Sequence, residues 1–264
     1  ISALIFSHAP LGCRTFLSCC STKPSCAVLP DNHQTTTTIP TNICNTAAMP
    51  FPSDKPRLIY WQVCGRGDFC QLCLYAGNVE YDLDSDKANT WPSFKDETPF
   101  GWLPVLVHGD MELTQGGALN RYCAKLAGFY PEDPVQAAKN DMIHDQCQDL
   151  FAKIFTTKKG DKDEKIAAWK SLKEEYLPAQ FALFERYLEK SGKPYFGGDS
   201  PSFGDVSFFA VYGIYEHAEL GTEEILDKYP KLKATTEGVK EMGKVKEFVR
   251  GHPYFHSNPE HASF

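Results

Sequence analysis

From residue 57 onward, the chain alternates between two spacings of apolar residues. Arg57-Leu58-Ile59-Tyr60-Trp61-Gln62-Val63 is a short β-type run, and Cys64-Gly65-Arg66-Gly67-Asp68 follows it as a turn. Phe69, Leu72, Cys73 and Ala76 then recur at helical spacing up to Gly77, a common stop signal. Val79 to Leu83 has the pattern of a second strand. A βαβ unit of this length implies parallel strands joined by a right-handed crossover. A long polar segment, Asp84 to Trp102, precedes Leu103-Pro104-Val105-Leu106-Val107, and Gly109-Asp110 then turns the chain into Met111-Glu112-Leu113, so a hairpin is expected. Pro104 is tolerable at a strand's first position, where its missing N–H need not break the ladder. A helix from about Gln115 to Leu126 completes the order βαβ-ββα, a small α/β domain with a mixed sheet.

Gly128 to Pro134 holds two prolines and a glycine, and a domain linker is expected there. Beyond it almost no strand pattern recurs. Ala137 to Phe155 reads as one long helix, Lys158 to Glu164 as a charged loop, and Ile166 to Glu189 as another long helix mildly interrupted by Pro178. Ser202-Phe203-Gly204-Asp205 is a capping-box arrangement ahead of the apolar run Val206 to Tyr215, so a buried helix should begin there. Leu232 to Val249 supplies the last helix. The expected organisation is an α/β domain over 55–128 and an all-helical domain over 129–264.

Residues 1–54 belong to neither. Residues 1–48 hold no acid before Asp31, are rich in Ser, Thr, Cys and Pro, and run through Thr35 to Thr38 without an amphipathic period. One reading is an organelle transit peptide, which the acid-poor composition fits but for which only Arg14 and Lys23 supply positive charge. The other is translated upstream sequence, with Met49, the first methionine, as the start. On either reading this extension is expected to be disordered. A cytoplasmic protein is expected, with organelle import if the transit peptide is genuine.

Of the 264 residues 42% are hydrophobic and 23% charged, ordinary values for a chain with a packed core. A formal net charge of −7 argues against wholesale nucleic-acid binding, which needs a basic face. No run of 18 apolar residues occurs, so no membrane-spanning helix is expected. Five of the ten cysteines precede Met49. The others, Cys64, Cys70, Cys73, Cys123 and Cys147, sit among apolar residues in regular segments and read as reduced, buried thiols. The eight histidines show no metal-ligand spacing, and His252, His256 and His261 lie in a Pro-containing tail. No metal is expected.

Several segments, taken in order, carry a resemblance. They are Tyr60 ahead of Gly65-Arg66, Trp91-Pro92-Ser93-Phe94-Lys95, Pro99-Phe100-Gly101-Trp102-Leu103-Pro104-Val105-Leu106, Thr114-Gln115-Gly116, Asp149, and the Ser202-Phe203-Gly204-Asp205 box. From about Arg57 to the C-terminus the chain resembles the cytosolic glutathione transferases, and within them the sigma class, with the mu class a near neighbour. The resemblance implies a thioredoxin-like N-terminal domain followed by a helical one. It also implies an enzyme that uses glutathione as co-substrate, a small hydrophobic electrophile as second substrate, and a homodimer.

Such an enzyme must stabilise a thiolate. A free thiol has a pKa near 8.5, and lowering it by about two units requires roughly 2.7 kcal/mol. The resemblance makes Tyr60 the activator. Its hydroxyl would donate a hydrogen bond to the sulfur, a charge-assisted bond that contributes about 1.5–3 kcal/mol. Arg66 would steady charge near the sulfur. Trp91 and Lys95 would hold the glycyl carboxylate. Leu103 would pair its backbone with the cysteinyl backbone of glutathione, and the family pattern makes the Leu103–Pro104 bond cis. Gln115 and the backbone N–H of Gly116 would bind the γ-glutamyl end, and Asp149, from a partner subunit, would neutralise its amine. Trp61 and Trp102 complete the expected glutathione-binding set.

Three positions depart from the pattern. Gly116 stands where Ser or Thr is usual, Trp102 where the prostaglandin synthases carry lysine, and Trp61-Gln62 where Phe-Pro is usual. Gly116 and Trp102 motivate an alternative, a non-catalytic ligand-binding or structural relative. Cys64, near the end of the first strand, motivates another, thiol–disulfide exchange. Cys70-Gln71-Leu72-Cys73 invites the same thought, but its cysteines lie well into the helix, and Cys73 shares the apolar phase of Phe69 and Leu72, so both are read as core. Asp205 is read as a helix cap and not a catalytic acid.

Overall fold

The structure, a computed structural model, describes residues 51–218 and 221–251. The extension and the histidine-containing tail considered above lie almost wholly outside them. The described residues belong to one compact unit.

The sheet is built on a three-residue strand, β1 (Arg57–Ile59). It pairs in parallel with β2 (Asp82–Leu83) and antiparallel with β3 (Val105–His108), which pairs antiparallel with β4 (Met111–Leu113), giving the order β2-β1-β3-β4. Alternation along each strand sorts the side chains. Leu58 and Leu106, partners across the ladder, are fully buried in the main core, while Ile59 and Val105 pack on the other face with Ala88 and Phe94.

Helix α1 (Arg66–Ala76) crosses between β1 and β2 and is buried along nearly its whole length. It packs against α3 (Gly116–Leu126). The polar segment between β2 and β3 contains a short helix, α2 (Ser85–Asn89), capped by the Asp84 carboxylate on the Lys87 N–H, and a 3-10 turn at Lys95–Glu97. The Leu103–Pro104 bond is cis, as the family pattern implies, and so is Trp91–Pro92.

No further strand forms after β4 among the described residues. Helix α4 (Pro134–Lys153) starts on the Asp133 cap, with proline in its first turn, and runs into a 3-10 turn at Ile154–Lys158. The expected charged loop is shorter than predicted, because the Asp161 carboxylate caps α5 (Lys162–Ser171). The single helix expected from Ile166 to Glu189 is divided. A π-helical turn, Leu172–Tyr176, separates α5 from α6 (Leu177–Ser191), which carries Pro178 in its first turn, where a missing N–H costs least.

Helix α7 (Phe203–His217) lies in the main core with Leu58 and Leu106 and packs against α4 and α1. Asp205 is a cap as expected. Its buried carboxylate accepts from the Ser202, Phe196 and Gly197 N–H groups. A short α8 (Thr222–Leu226) had no sequence signal. The expected last helix is two, α9 (Pro230–Lys240) and α10 (Val245–Gly251), broken around Gly243, where the backbone is left-handed (φ 40°) and lies against the carbonyls of Tyr75 and Ala76. The fold is thus the expected thioredoxin-like βαβ-ββα sheet followed by an all-helical region. Among the described residues no helix is long and apolar enough to cross a membrane.

Candidate active site

The C-terminal end of β1 and the N-terminal end of α1 meet at Tyr60. β1 ends one residue earlier, and the tyrosine turns back over the start of the helix. Its ring lies against Gly67, where a side chain would run into it, and a Cβ at Gly65 would stand 2.8 Å from its hydroxyl oxygen. Two glycines in the helix's first turn therefore admit the phenol to the helix N-terminus. There the Tyr60 hydroxyl accepts a hydrogen bond from the Arg66 N–H at 3.1 Å. The ring is buried.

Burial, and next the nearby Asp68 carboxylate, hold the Tyr60 phenol well above the ordinary phenol range, outweighing the N–H groups of Arg66 and Gly67 that pull it down. The hydroxyl is therefore protonated throughout the physiological range and has a proton to donate. In the sequence Asp68 is the last residue of the turn Cys64–Asp68. It is fully buried, and its carboxylate accepts from the Gly65 N–H at 2.9 Å, fixing the loop under the tyrosine. The only sequence signal for this role was its spacing, three residues after Gly65.

Arg66 is exposed at the start of α1, its guanidinium 5.1 Å from the centre of the Phe151 ring on α4. It thus joins the tyrosine to the helical half. Trp61, Trp91 and Leu103 converge on the small second core of Ile59, Ala88, Phe94 and Val105. Lys95 is exposed, with its ammonium 5.9 Å from the ring centre of Trp102, itself 63% exposed. Pro104 is buried at the head of β3. The Trp102 carbonyl accepts from the Thr114 hydroxyl at 3.3 Å, tying this loop to the residue before Gln115.

Gln115 is exposed and has φ 73°, a region non-glycine residues seldom adopt. Its side chain does not cap α3, and a helix N-terminus such as the one at Gly116 is a suitable seat for a carboxylate. Asp149 lies apart from these groups in the chain, exposed on α4 and within electrostatic reach of the Tyr176 phenol.

Cys64 is half-buried, and burial together with Asp68 pushes its thiol far up. A thiol so held is neutral and a poor nucleophile, which weighs against exchange chemistry. Cys70 and Cys73 are buried core residues, as expected. Among the described residues no cluster of His, Cys, Asp and Glu is arranged to hold a metal.

A cleft of about 770 Å³ opens between α4, α5 and α7, with Cys64, Phe151, Ile154, Phe155, Trp169 and Ile214 among its lining, Phe151 being the ring that the Arg66 guanidinium stands over. Sequence reasoning could not assemble it, because these residues come from separate elements and each reads locally as ordinary core.

Two domain models match the chain: the glutathione S-transferase N-terminal domain over residues 56–125 and the C-terminal domain over residues 148–252. Glutathione S-transferase 1 of Ascaris suum is 28% identical over 207 residues, covering 75% of this chain and 96% of that protein. Among solved structures, the prostaglandin synthase D of Nilaparvata lugens superposes with a TM-score of 0.66 at 25% identity, covering 76% of this chain and 99% of that one. The Pi-class glutathione S-transferase of Onchocerca volvulus does so with a TM-score of 0.65 at 26% identity, covering 75% and 93%. With both domains matched in order and the fold in agreement, this chain belongs to the glutathione S-transferase superfamily and is an enzyme of that kind.

Proposed function

We propose that the protein conjugates glutathione to small hydrophobic electrophiles and that Tyr60 stabilises the thiolate. The observation that carries this reading is the buried, protonated Tyr60 hydroxyl held over the N-terminus of α1. Glutathione bound along the sheet edge would bring its sulfur to that hydroxyl. The thiol proton leaves to solvent, the phenol O–H donates to S⁻, and the partial positive charge of the helix end adds to the stabilisation. The sulfur then forms a bond to the electrophilic carbon and a leaving group such as chloride departs. The same thiolate would serve isomerisation or peroxide reduction.

In this reading Trp91 and Lys95 bind the glycyl carboxylate, and Leu103 pairs with the cysteinyl backbone. Gln115 and Gly116 bind the γ-glutamyl end, Asp149 acts from the partner of a homodimer, and Arg66 steadies charge between the sulfur and the cleft. Residues 55–128 hold glutathione, and 129–264 contribute most of the second-substrate site. A sigma-type assignment, for which Arg66 beside Tyr60 is the support, and a cytoplasmic role in detoxification belong to the same proposal.

The test is conjugation of chlorodinitrobenzene. Tyr60→Phe removes one oxygen from a ring otherwise held by packing. It is expected to cut kcat by about 10²-fold, the loss typical of one preorganised donor, and to raise the pH at which turnover reaches half its maximum. Undiminished turnover in a folded Tyr60→Phe protein would refute the assignment.

A further inference from the structure

The proposed mechanism leaves one fully buried acid beside Tyr60 unused. Asp68 is the third residue of α1, and none of it is exposed. Its carboxylate accepts from the Gly65 N–H at 2.9 Å and from the Cys64 thiol. The Tyr60 hydroxyl oxygen accepts from the Arg66 N–H at 3.1 Å and lies 2.8 Å from where a Gly65 Cβ would stand. Carboxylate and phenol are thus bonded to the N–H groups of successive residues, Gly65 and Arg66.

An acidic residue in the first turn of a helix is ordinary, and Asp68 does close the capping box at Gly65. A cap needs only an acceptor oxygen, and a neutral amide at that position supplies one. The charge has a second consequence. Away from water, a carboxylate disfavours any anion formed beside it. Burial first, and Asp68 next, hold Tyr60 and Cys64 protonated. The other titratable groups of this corner are Cys70 on the same helix, Cys123 on α3, Tyr81 ahead of β2, and His144 on α4, in ring contact with Phe69. Burial raises Tyr81 and keeps His144 neutral above about pH 4, while the Cys70 contact and then burial raise Cys123. On α7, the Tyr215 hydroxyl donates to the Leu150 carbonyl and Asp205 serves its own cap. Arg66 supplies positive charge, but its guanidinium stands over the Phe151 ring.

We propose that Asp68 is a positioning residue for the transferase reaction, a fixed negative charge that opposes the thiolate stabilised by Tyr60 and so makes bound glutathione a stronger nucleophile. The nucleophilicity of a thiolate rises as its conjugate acid weakens, with a Brønsted coefficient of about 0.4–0.5. An activating phenol alone gives many thiolates of low reactivity. The same phenol opposed by a carboxylate gives fewer, each more reactive. This inference rests on Tyr60 being the partner of the sulfur.

Asp68→Asn tests it, keeping an oxygen for the Gly65 N–H and removing the charge. The full chain, saturated with glutathione, is assayed as kcat/KM for chlorodinitrobenzene against pH, and the ultraviolet absorbance of the bound thiolate gives the same midpoint without turnover. The midpoint is expected to fall by about one pH unit, opposite in direction to Tyr60→Phe. The alkaline plateau should drop about threefold while the acid limb rises about threefold. Damage to the cap alone would lower both limbs and leave the midpoint in place. Asp68→Glu and Asp68→Gln both reach the Gly65 N–H and differ in charge, so they replace the first comparison if Asp68→Asn does not fold. Equal midpoints in the charged and neutral members of a folded pair overturn the proposal. Alkylation of Cys64 by iodoacetamide, followed on its own peptide, reads the same field without glutathione and should quicken severalfold in the neutral variant. Quickened alkylation, with neither thiolate nor conjugation in the unaltered protein, would uphold the Asp68 field and sink the transferase mechanism. Full turnover with an unmoved midpoint would do the reverse.

Discussion

At the scale of single residues, the site is shaped as much by missing side chains as by present ones. Gly67 leaves the space that the Tyr60 ring occupies, and Gly65 the space above its hydroxyl. Gly116 is different, because nothing crowds it. A Cβ there would meet only the Gln148 Oε1, at 4.0 Å, an ordinary contact. The hydroxyl usual at this position can therefore be restored without strain. Gly116→Ser is expected to tighten glutathione binding about fivefold, the equivalent of one hydrogen bond of about 1 kcal/mol, in a calorimetric titration. Unchanged affinity would mean that the γ-glutamyl end does not reach α3.

At the scale of elements, α4 and α7 are joined by a buried polar contact. His144 on α4 lies between Phe69 and Phe203, its ring 4.6 Å from the latter, and its Nδ1 is 2.8 Å from the Ser207 oxygen. The Ser207 hydroxyl donates to the Phe203 carbonyl, so it accepts from Nδ1–H, and Nε2 is the bare nitrogen. That nitrogen is buried without a hydrogen-bond partner. Burial, with Arg121 next in effect, lowers the His144 pKa from 6.5 to about 4. In the unfolded chain His144 takes up a proton below pH 6.5, and in the folded protein only near pH 4. Its contribution to stability is therefore complete above pH 6.5 and is lost as the pH falls towards 4, by roughly 3 kcal/mol. Asp205, raised by burial to about 6, acts in the opposite sense between pH 6 and its ordinary 3.8. Comparison with a His144→Phe variant removes that term. Urea unfolding at pH 7 and pH 4.5 should show the unaltered protein losing more stability on acidification than the variant does.

At the scale of the whole molecule, the large apolar side chains in water are suggestive. Phe100 and Trp102, in the loop before β3, are 68% and 63% exposed, and Val135 and Met142 on α4 are 61% and 51% exposed. Apolar side chains exposed together mark an interaction surface where they form one patch. The homodimer proposed above would cover it, and Asp149 could then reach a neighbouring site. Sedimentation equilibrium is expected to give twice the chain mass, with Phe100→Ser shifting the species towards monomer. A monomer at every concentration would remove the role given to Asp149.

The element order and the fold class were legible in the residues, because apolar period and turn chemistry are local properties. Phe69, Leu72, Cys73 and Ala76 mark α1 wherever the chain goes, and Ser202 to Asp205 mark the start of α7. Element ends were less legible. The break at Gly243 depends on the C-terminus of α1 lying against it, and the π turn at Leu172–Tyr176 leaves the apolar period of its flanking helices nearly intact. The predicted site residues could be named by resemblance to a family, but not their surroundings. Asp68 gains its effect only when buried beneath Tyr60, and Phe151 only when α4 brings it under Arg66. The cleft arises from elements far apart in the chain. Sequence alone determined the main helices and strands and their order. Tertiary structure decided which charges share one low-dielectric space, because a Coulomb interaction depends on separation and burial and not on position along the chain.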